Sequence, residues 1–260
     1  MDDETGADPR SRTFVTAFAR GLDVIQAFGE GARRLTLSDV AARAGVDRAV
    51  ARRLLLTLVE QGFASTDGKY FELTGQVLRL GFSYLAAAGL DRRVQPALEA
   101  LSHRIGESTS LTVLDYPHIV NVARAEAPDR HVRYALKTAT RMPATATASG
   151  RVLLAGLEDA RAEALLASAP IPGFTPHTLR AVPELLDAIR ACRAEGYAVV
   201  DGELEEGFAS AAVPLQDRGG RLVAALATSS HAGRMTAARM RQEVVPLMRA
   251  AAREMGNLLL

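Results

Sequence analysis

The chain has 260 residues, 48% hydrophobic and 23% charged, and its 31 basic and 30 acidic side chains leave a net charge of +1. That length suits two domains better than one, and the charge balance neither favours nor excludes a polyanionic partner. No apolar run approaches the roughly 18 residues a bilayer span needs, and the single cysteine, Cys192, excludes an intramolecular disulfide and any cysteine-based zinc knuckle.

Residues 1–12, "MDDETGADPRSR", are polar and acidic, which reads as a tail rather than a secretory signal and places the protein in the cytoplasm. From Phe14 the series Val15, Phe18, Leu22, Ile25, Phe28 predicts an amphipathic helix with that stripe buried, stopped by Gly29 and Gly31. A short second helix carries Leu37, Val40 and Ala41, capped by Thr36 or Ser38 and ended at Gly45. Asp47 caps a third helix that runs to about Gln61, with Gly62 closing it. The stretch "FASTDGKYFEL" then alternates around Asp67-Gly68, a hairpin signal.

Three helices followed by a hairpin is the order of a winged helix-turn-helix. On a helical wheel the third helix gathers Ala51, Leu54, Leu55 and Leu58 on one face and leaves Ala49, Arg52 and Arg53 opposite. An apolar seat with guanidinium groups towards the N-terminal half is what a recognition helix needs, because arginine reaches guanine edges or clamps phosphate. Six arginines stand between positions 33 and 59 (Arg33, Arg34, Arg43, Arg48, Arg52, Arg53) against Asp39 and Asp47. Arginine is abundant throughout the chain, so position carries the argument. The expected DNA-contacting set is Arg48, Ala49, Arg52, Arg53, Arg34 and, at the hairpin tip, Lys69.

Residues 74–90 predict a linker helix with Val77, Leu80, Tyr84 and Leu85 on one side. A further helix with Val94, Leu98, Leu101 and Ile105 precedes "TSLTVLD", a turn at Tyr116-Pro117, and "IVNVARA". The strands continue in "VRYALK", and "TASGRVLLAGL" opens a helix. Helices near 160–167 and 183–194 follow, then strands at "YAVVD", "ASAAVPL" and "RLVAALATSS", the last two joined across Asp217–Gly220. A last helix from Thr236 buries Val244, Leu247, Met248, Ala251 and Met255, with a kink expected at Pro246. Hairpin-linked strands among flanking helices predict an α+β domain on an antiparallel sheet. The expected division is a tail at 1–12, a winged helix-turn-helix at 13–73, the linker helix at 74–90 and an effector domain at 91–260.

The segments "FARGLDVIQAFGEG", "LSDVAARAGVDRAVARRLLLTLVEQGF", "GKYFELTGQVLRLGFSYL", "RMPATATASGRVLLAGL" and "GYAVVDGELEEGFASAAVPLQDRGGRLVAALATSSHAGRMT" together resemble the IclR-type bacterial transcriptional regulators over residues 14–256. Within that family "RAVARRLLLTL", "TASGRVLLAGL" and "SSHAGRMT" look most like the branch controlling protocatechuate and 4-hydroxybenzoate breakdown in the β-ketoadipate pathway. The resemblance implies an N-terminal winged helix domain that binds double-stranded operator DNA, and a linker helix that pairs subunits into a homodimer or tetramer. It also implies a GAF-like C-terminal domain that binds a small organic acid. Carried over residue by residue, the effector pocket falls to Met142, Ala148, Ser149, Asp201, Ser210, Ala227 and Ser229. Ser210 stands where other members often have cysteine, and Ala227 where they have serine, which leaves the ligand's identity open.

The residues themselves allow that mapping. Unpaired N–H groups at the start of a helix at Thr147–Gly150 favour a carboxylate; Ser149 and Ser229 add hydroxyls, and Asp201 is an acceptor for a ligand hydroxyl. On the residues alone "TASG" reads more simply as a plain helix N-cap, and only the resemblance favours the effector role. Asp201, Glu203, Glu205 and Glu206 read as a solvated loop with one acid facing a pocket rather than a metal site, since no histidine or cysteine adjoins them in sequence. The five histidines (103, 118, 131, 177, 231) lack metal-ligand spacing. No dinucleotide fingerprint, phosphate loop or nucleophile elbow is present, so neither an enzyme nor a cofactor is expected. The alternative is a small-molecule-binding or catalytic α+β protein whose N-terminal helices serve only oligomerisation.

Overall fold

The structure, a computed structural model, describes residues 13–29, 33–87, 89–90, 93–127 and 140–259. The expected tail, Gly31 and the "VRYALK" strand lie outside the described residues. The chain packs as two compact units, 1–83 and 84–260.

In the first unit α1 (Thr16–Gln26) is followed by a two-residue strand β1 (Leu35–Thr36), α2 (Leu37–Ala44) and α3 (Arg48–Glu60). Strands β2 (Ala64–Thr66) and β3 (Tyr70–Leu73) complete a three-stranded antiparallel sheet in the order β1-β3-β2. Local chemistry sets each boundary. Thr36 caps α2 by accepting the Asp39 N–H while the Asp39 carboxylate accepts the Thr36 N–H, a reciprocal capping box. Gly45, at φ 63°, supplies the left-handed turn between α2 and α3. Asp47 caps α3 through the Val50 N–H at 2.8 Å. Val24, Leu35, Val40, Leu55 and Phe71 form the shared core.

The apolar stripe expected to be buried on α1 is buried only in part: Ile25 and Phe28 are half-buried, and Phe28 packs against the core. Val15, Phe18 and Leu22 are exposed, and the buried positions are Val24 and Ala27. The core-facing positions Val24 and Ala27 join Leu35, Val40, Leu55 and Phe71, while Gly21 lies at ordinary contact distance from Leu54 of α3. Similarly, the helix expected over 74–90 is a 3₁₀ turn (Gly75–Val77) leading into α4 (Leu78–Ala87). Of its expected stripe, Leu80 and Tyr84 are exposed, together with Leu78 and Phe82.

The second unit is built on a six-stranded antiparallel sheet in the order β6-β5-β4-β9-β8-β7. Its strands are β4 (Thr109–Asp115), β5 (His118–Ala125), β6 (Arg141–Pro143), β7 (Ala198–Asp201), β8 (Phe208–Gln216) and β9 (Leu222–His231). Tyr116-Pro117, a cis peptide, turns β4 into β5, and Asp217–Gly220 turns β8 into β9. β6 pairs with β5 and was too short to be read from the sequence.

Helices cover both faces. On one, α5 (Gln95–Ile105) and the C-terminal helices bury Val94, Leu98, Leu111, Val213, Leu226 and Met248. On the other, α6 (Ala148–Ala155), α7 (Asp159–Ser168) and α8 (Val182–Glu195) bury Ile119, Leu154, Leu166, Leu185, Ile189 and Ala225. The kink expected at Pro246 appears as a π-helical turn, Met240–Val244, between α9 (Ala237–Arg239) and α10 (Val245–Gly256). Pro246 directly follows that turn, in which the Val245 N–H reaches the Met240 carbonyl, and a π turn is one way a helix accommodates an interrupted hydrogen-bond ladder. Val244, Met248 and Met255 are buried and Leu247 and Ala251 partly so, as the helical period required.

Candidate functional site

In the first unit α3 exposes Arg48, Ala49, Arg52 and Arg53 while Ala51 and Leu55 are fully buried beneath it. Leu56, at 41% exposure, continues the open face one turn beyond the arginines. The hairpin adds two more of the expected residues, in a different setting. Arg34 is ion-paired with Asp67 and stacks 5.1 Å from the Tyr70 ring, and the Lys69 amine lies 5.2 Å from the same ring. The Asp67 carboxylate also accepts the Lys69 and Tyr70 N–H groups, which hold its carboxyl below the ordinary aspartate range. The wing tip is thus a preformed basic corner, and α3 a helix with a seated back and a cationic front.

The second unit contains a cavity of about 310 Å³ between α6, the sheet and the loop after β7. Six of the seven residues expected there line it: Met142, Ala148, Ser149, Ser210, Ala227 and Ser229. At the helix wall, Thr147 caps α6 by accepting the Gly150 N–H at 3.2 Å and donates its own hydroxyl to the Pro143 carbonyl at 3.0 Å. That leaves the Ala148 and Ser149 N–H groups, the first two of the helix, without intrahelical acceptors. At the sheet wall, Ser210 of β8 is paired directly with Ser229 of β9, and Ser110 of β4 with Arg124 of β5. The hydroxyls of Ser110, Ser149, Ser210 and Ser229 make no hydrogen bond to the described residues. Val200, Leu204 and Phe208 supply apolar surface.

The seventh residue, Asp201, is not in the cavity. Strand alternation turns Val200 inward and Asp201 outward, so its side chain is exposed and borders a separate depression with His177 and Glu206. His177 therefore does approach the acidic loop in space, though not in sequence; among the described residues no group of three or more His, Cys, Asp or Glu could hold a metal. The acids that face the cavity are Glu203 and Glu205, brought round by the left-handed turn at Gly202 (φ 68°). Glu203 is buried and accepts Arg151 Nη2 at 2.6 and 2.7 Å.

Most of the remaining lining was not expected from the sequence, Ser110, Arg124 and Arg141 among it. Arg124 is held by Glu126 (2.7 Å) and Arg141 by Asp115 (2.8 Å), so two guanidinium groups border the cavity with counter-ions already in place. The alternation of Ser110 and Thr112 with Leu111 and Val113 was the available signal: in a sheet covered on both faces, one polar row marks a polar space.

A helix-turn-helix with an open basic face, joined in one chain to a sheet domain with a small mixed-polarity cavity, defines a ligand-responsive DNA-binding protein. The IclR helix-turn-helix domain matches residues 17–68, and the bacterial transcriptional regulator IclR C-terminal domain matches residues 82–257. The chain belongs to the IclR family of bacterial transcriptional regulators. It is 38% identical over 242 residues to the Pca regulon regulatory protein of Pseudomonas putida, covering 93% of this chain and 83% of that one. It is 34% identical over 253 residues to the p-hydroxybenzoate hydroxylase transcriptional activator of Acinetobacter baylyi, covering 96% and 93%. An IclR homologue from Microbacterium hydrocarbonoxydans, solved in complex with 4-hydroxybenzoate, superposes with a TM-score of 0.75 at 25% identity over 93% of this chain and 98% of that one. These relatives are regulators rather than enzymes, and the non-regulatory alternative is set aside.

No described helix is long and apolar enough to cross a membrane.

Proposed function

We propose that the protein is a cytoplasmic regulator of aromatic acid catabolism genes that reads operator DNA with α3 and senses a small aromatic carboxylic acid, such as protocatechuate or 4-hydroxybenzoate, in the cavity of the second unit. The observation that carries the ligand class is the pairing of two open amide donors at the start of α6 with unpartnered serine hydroxyls on the facing strands. Amides at a helix start favour a carboxylate. Hydroxyls suit ring hydroxyls, Met142, Val200 and Leu204 suit the ring itself, and a cavity of about 310 Å³ suits a single-ring ligand.

On the DNA side, Arg52 and Arg53 take guanine edges or phosphates, Arg48 flanks them, and Ala49 permits close approach to the bases. Leu56 is placed for apolar contact with a thymine methyl. Arg34 and Lys69 take backbone phosphates beside the helix. The exposed apolar residues in and just before α1 (Phe14, Val15, Phe18, Leu22) and in α4 (Leu78, Leu80, Phe82, Tyr84) favour assembly of identical subunits, which matches a two-fold operator.

The test pairs a thermal-shift panel with a gel shift on the DNA upstream of the regulated genes. Benzoate, 4-hydroxybenzoate, protocatechuate and small keto acids are the probes. A ligand that binds only the folded state raises the unfolding midpoint in proportion to the logarithm of its concentration. A shift with hydroxylated benzoates that also alters the gel pattern is expected; a panel in which only keto acids act would overturn the ligand class.

A further inference from the structure

Asn121 of β5 is 1% exposed, yet neither its Oδ1 nor its Nδ2 has a hydrogen-bond partner. A buried carboxamide in that state has given up its water without return, which native proteins rarely tolerate away from a working site. Asn121 is not itself one of the residues that line the cavity, but its neighbours on the sheet are. Along the sheet face, Asn121 lies opposite Thr112, and the neighbouring same-face pair, Arg124 opposite Ser110, lines the cavity. On its other side Ile119 is paired with Met142, which lines the cavity too. The Asn121 N–H donates to the carbonyl of Thr140, a further cavity residue.

The register shift between Leu111 and Thr112 is what puts it there. Ala123 pairs with Leu111, but Asn121 rather than Val122 pairs with Thr112, and Val122 packs with Ala123 on the opposite core. A bulge of this kind re-aims one side chain, here to the cavity face.

We propose that Asn121 is a ligand-reading residue of this cavity, its carboxamide meeting the hydroxyl-bearing edge of an aromatic acid and favouring two adjacent hydroxyls over one. The proposal rests on the aromatic-acid reading above. A carboxamide presents an acceptor and a donor side by side in one plane. A vicinal diol matches both, one O–H donating to Oδ1 while the neighbouring oxygen accepts from Nδ2. A single ring hydroxyl satisfies one of the two, and benzoate neither. The division of labour is consistent: a carboxylate at the amides of the helix wall leaves the far edge of the ring to the sheet wall.

The chain contains only two asparagines, Asn121 and Asn257, so asparagine-selective ¹⁵N labelling of the full-length protein reports each side-chain amide separately. Asn257, exposed near the C-terminus, is the internal control. Titration with 3,4-dihydroxybenzoate should move the Asn121 side-chain signals most, 3- and 4-hydroxybenzoate less and benzoate least, with Asn257 unmoved. By calorimetry, Asn121→Ala and Asn121→Leu should reduce the preference for the dihydroxy acid over benzoate by about thirtyfold, the worth of two neutral hydrogen bonds, and leave benzoate affinity unchanged. If the acids bind the wild type but Asn121 moves equally with all of them, or the variants keep the preference, Asn121 reads nothing and the cavity assignment stands. If no aromatic acid binds the wild type, the ligand class and this proposal fall together. The labelling arm needs no variant to fold.

Discussion

Arg151, in α6, and Glu203, in the loop after β7, form an ion pair at 2.6 Å with both side chains nine-tenths buried. The Glu203 carboxylate is further approached by the Leu179 N–H at 3.4 Å, and its backbone carbonyl accepts the Thr178 hydroxyl at 2.6 Å. The helix that offers the cavity its amides is thereby fastened to the loop that closes the cavity's other side.

Breaking this pair from one end strands a buried charge. Arg151→Met or Glu203→Leu should each cost about 3–5 kcal/mol, whereas the double replacement by apolar residues should recover much of the loss. Chemical denaturation followed by a probe in the second unit measures all three, and equal losses in the double and the single variants would show that the pair is not the determinant.

Arg52→Ala and Arg53→Ala should weaken operator binding with the thermal midpoint unchanged, since both side chains are exposed on a helix whose seat is on its far side. The two roles separate by salt dependence. Loss of a phosphate contact flattens the slope of log K against log salt by about 0.9, while loss of a base contact costs about 1–3 kcal/mol at one operator position and leaves the slope alone. Unchanged affinity in both single variants and the double would remove α3 from the groove.

Asp201→Ala should leave effector affinity within about twofold of wild type, because the carboxylate is outside the cavity. Ser149→Ala, Ser210→Ala and Ser229→Ala should each lose about 0.5–1.5 kcal/mol of binding, the net value of one hydrogen bond. Titration calorimetry with the best ligand of the panel decides between them, and a large loss in the Asp201 variant alone would reverse the assignment.

Burial pushes the Cys192 thiol up to about 11 from an ordinary value of 9.0. The folded state thus keeps a neutral thiol where the unfolded chain would ionise it. The stabilising difference is complete below pH 9.0 and is lost as pH rises towards about 11. Cys192→Ala or Cys192→Val should therefore flatten the alkaline limb of the unfolding midpoint between those values. In the native protein the thiol should resist modification by a thiol reagent at neutral pH and react only on unfolding.

Where periodicity and packing agree, the sequence was enough. The wheel that seats Ala51 and Leu55 and frees Arg52 and Arg53 on α3 is such a place, as are the Asp67-Gly68 hairpin and the C-terminal stripe from Val244 to Met255. α1 shows the limit, because Val15, Phe18 and Leu22 of its apolar period face outward, while Val24 and Ala27, which reach the core, look unremarkable in a sequence. β1 and β6, two and three residues long, are too short to display a period. In the cavity, Ser149, Ser210 and Ser229 were legible through family resemblance. Asp201 faces outward because alternation along "YAVVD" turns Val200 to the cavity, a signal the sequence does carry. Asn121 was invisible, since its direction depends on a bulge that only the pairing of two distant strands creates.

Gly150, the fourth residue of "TASG", has a larger role than ending a cap. A Cβ there would fall inside the van der Waals envelope of the Ala144 carbonyl, so α6 rests backbone to backbone on the segment before it. Gly150→Ala should cost at least about 1–3 kcal/mol, because fixed backbone cannot yield as a flexible side chain can. The helix wall of the cavity is in that sense cast rather than assembled. On the proposed reading, ligand range changes most readily from the opposite wall, where exchangeable side chains such as Ser110, Ser210 and Ser229 line the cavity, and a search for altered effectors begins there.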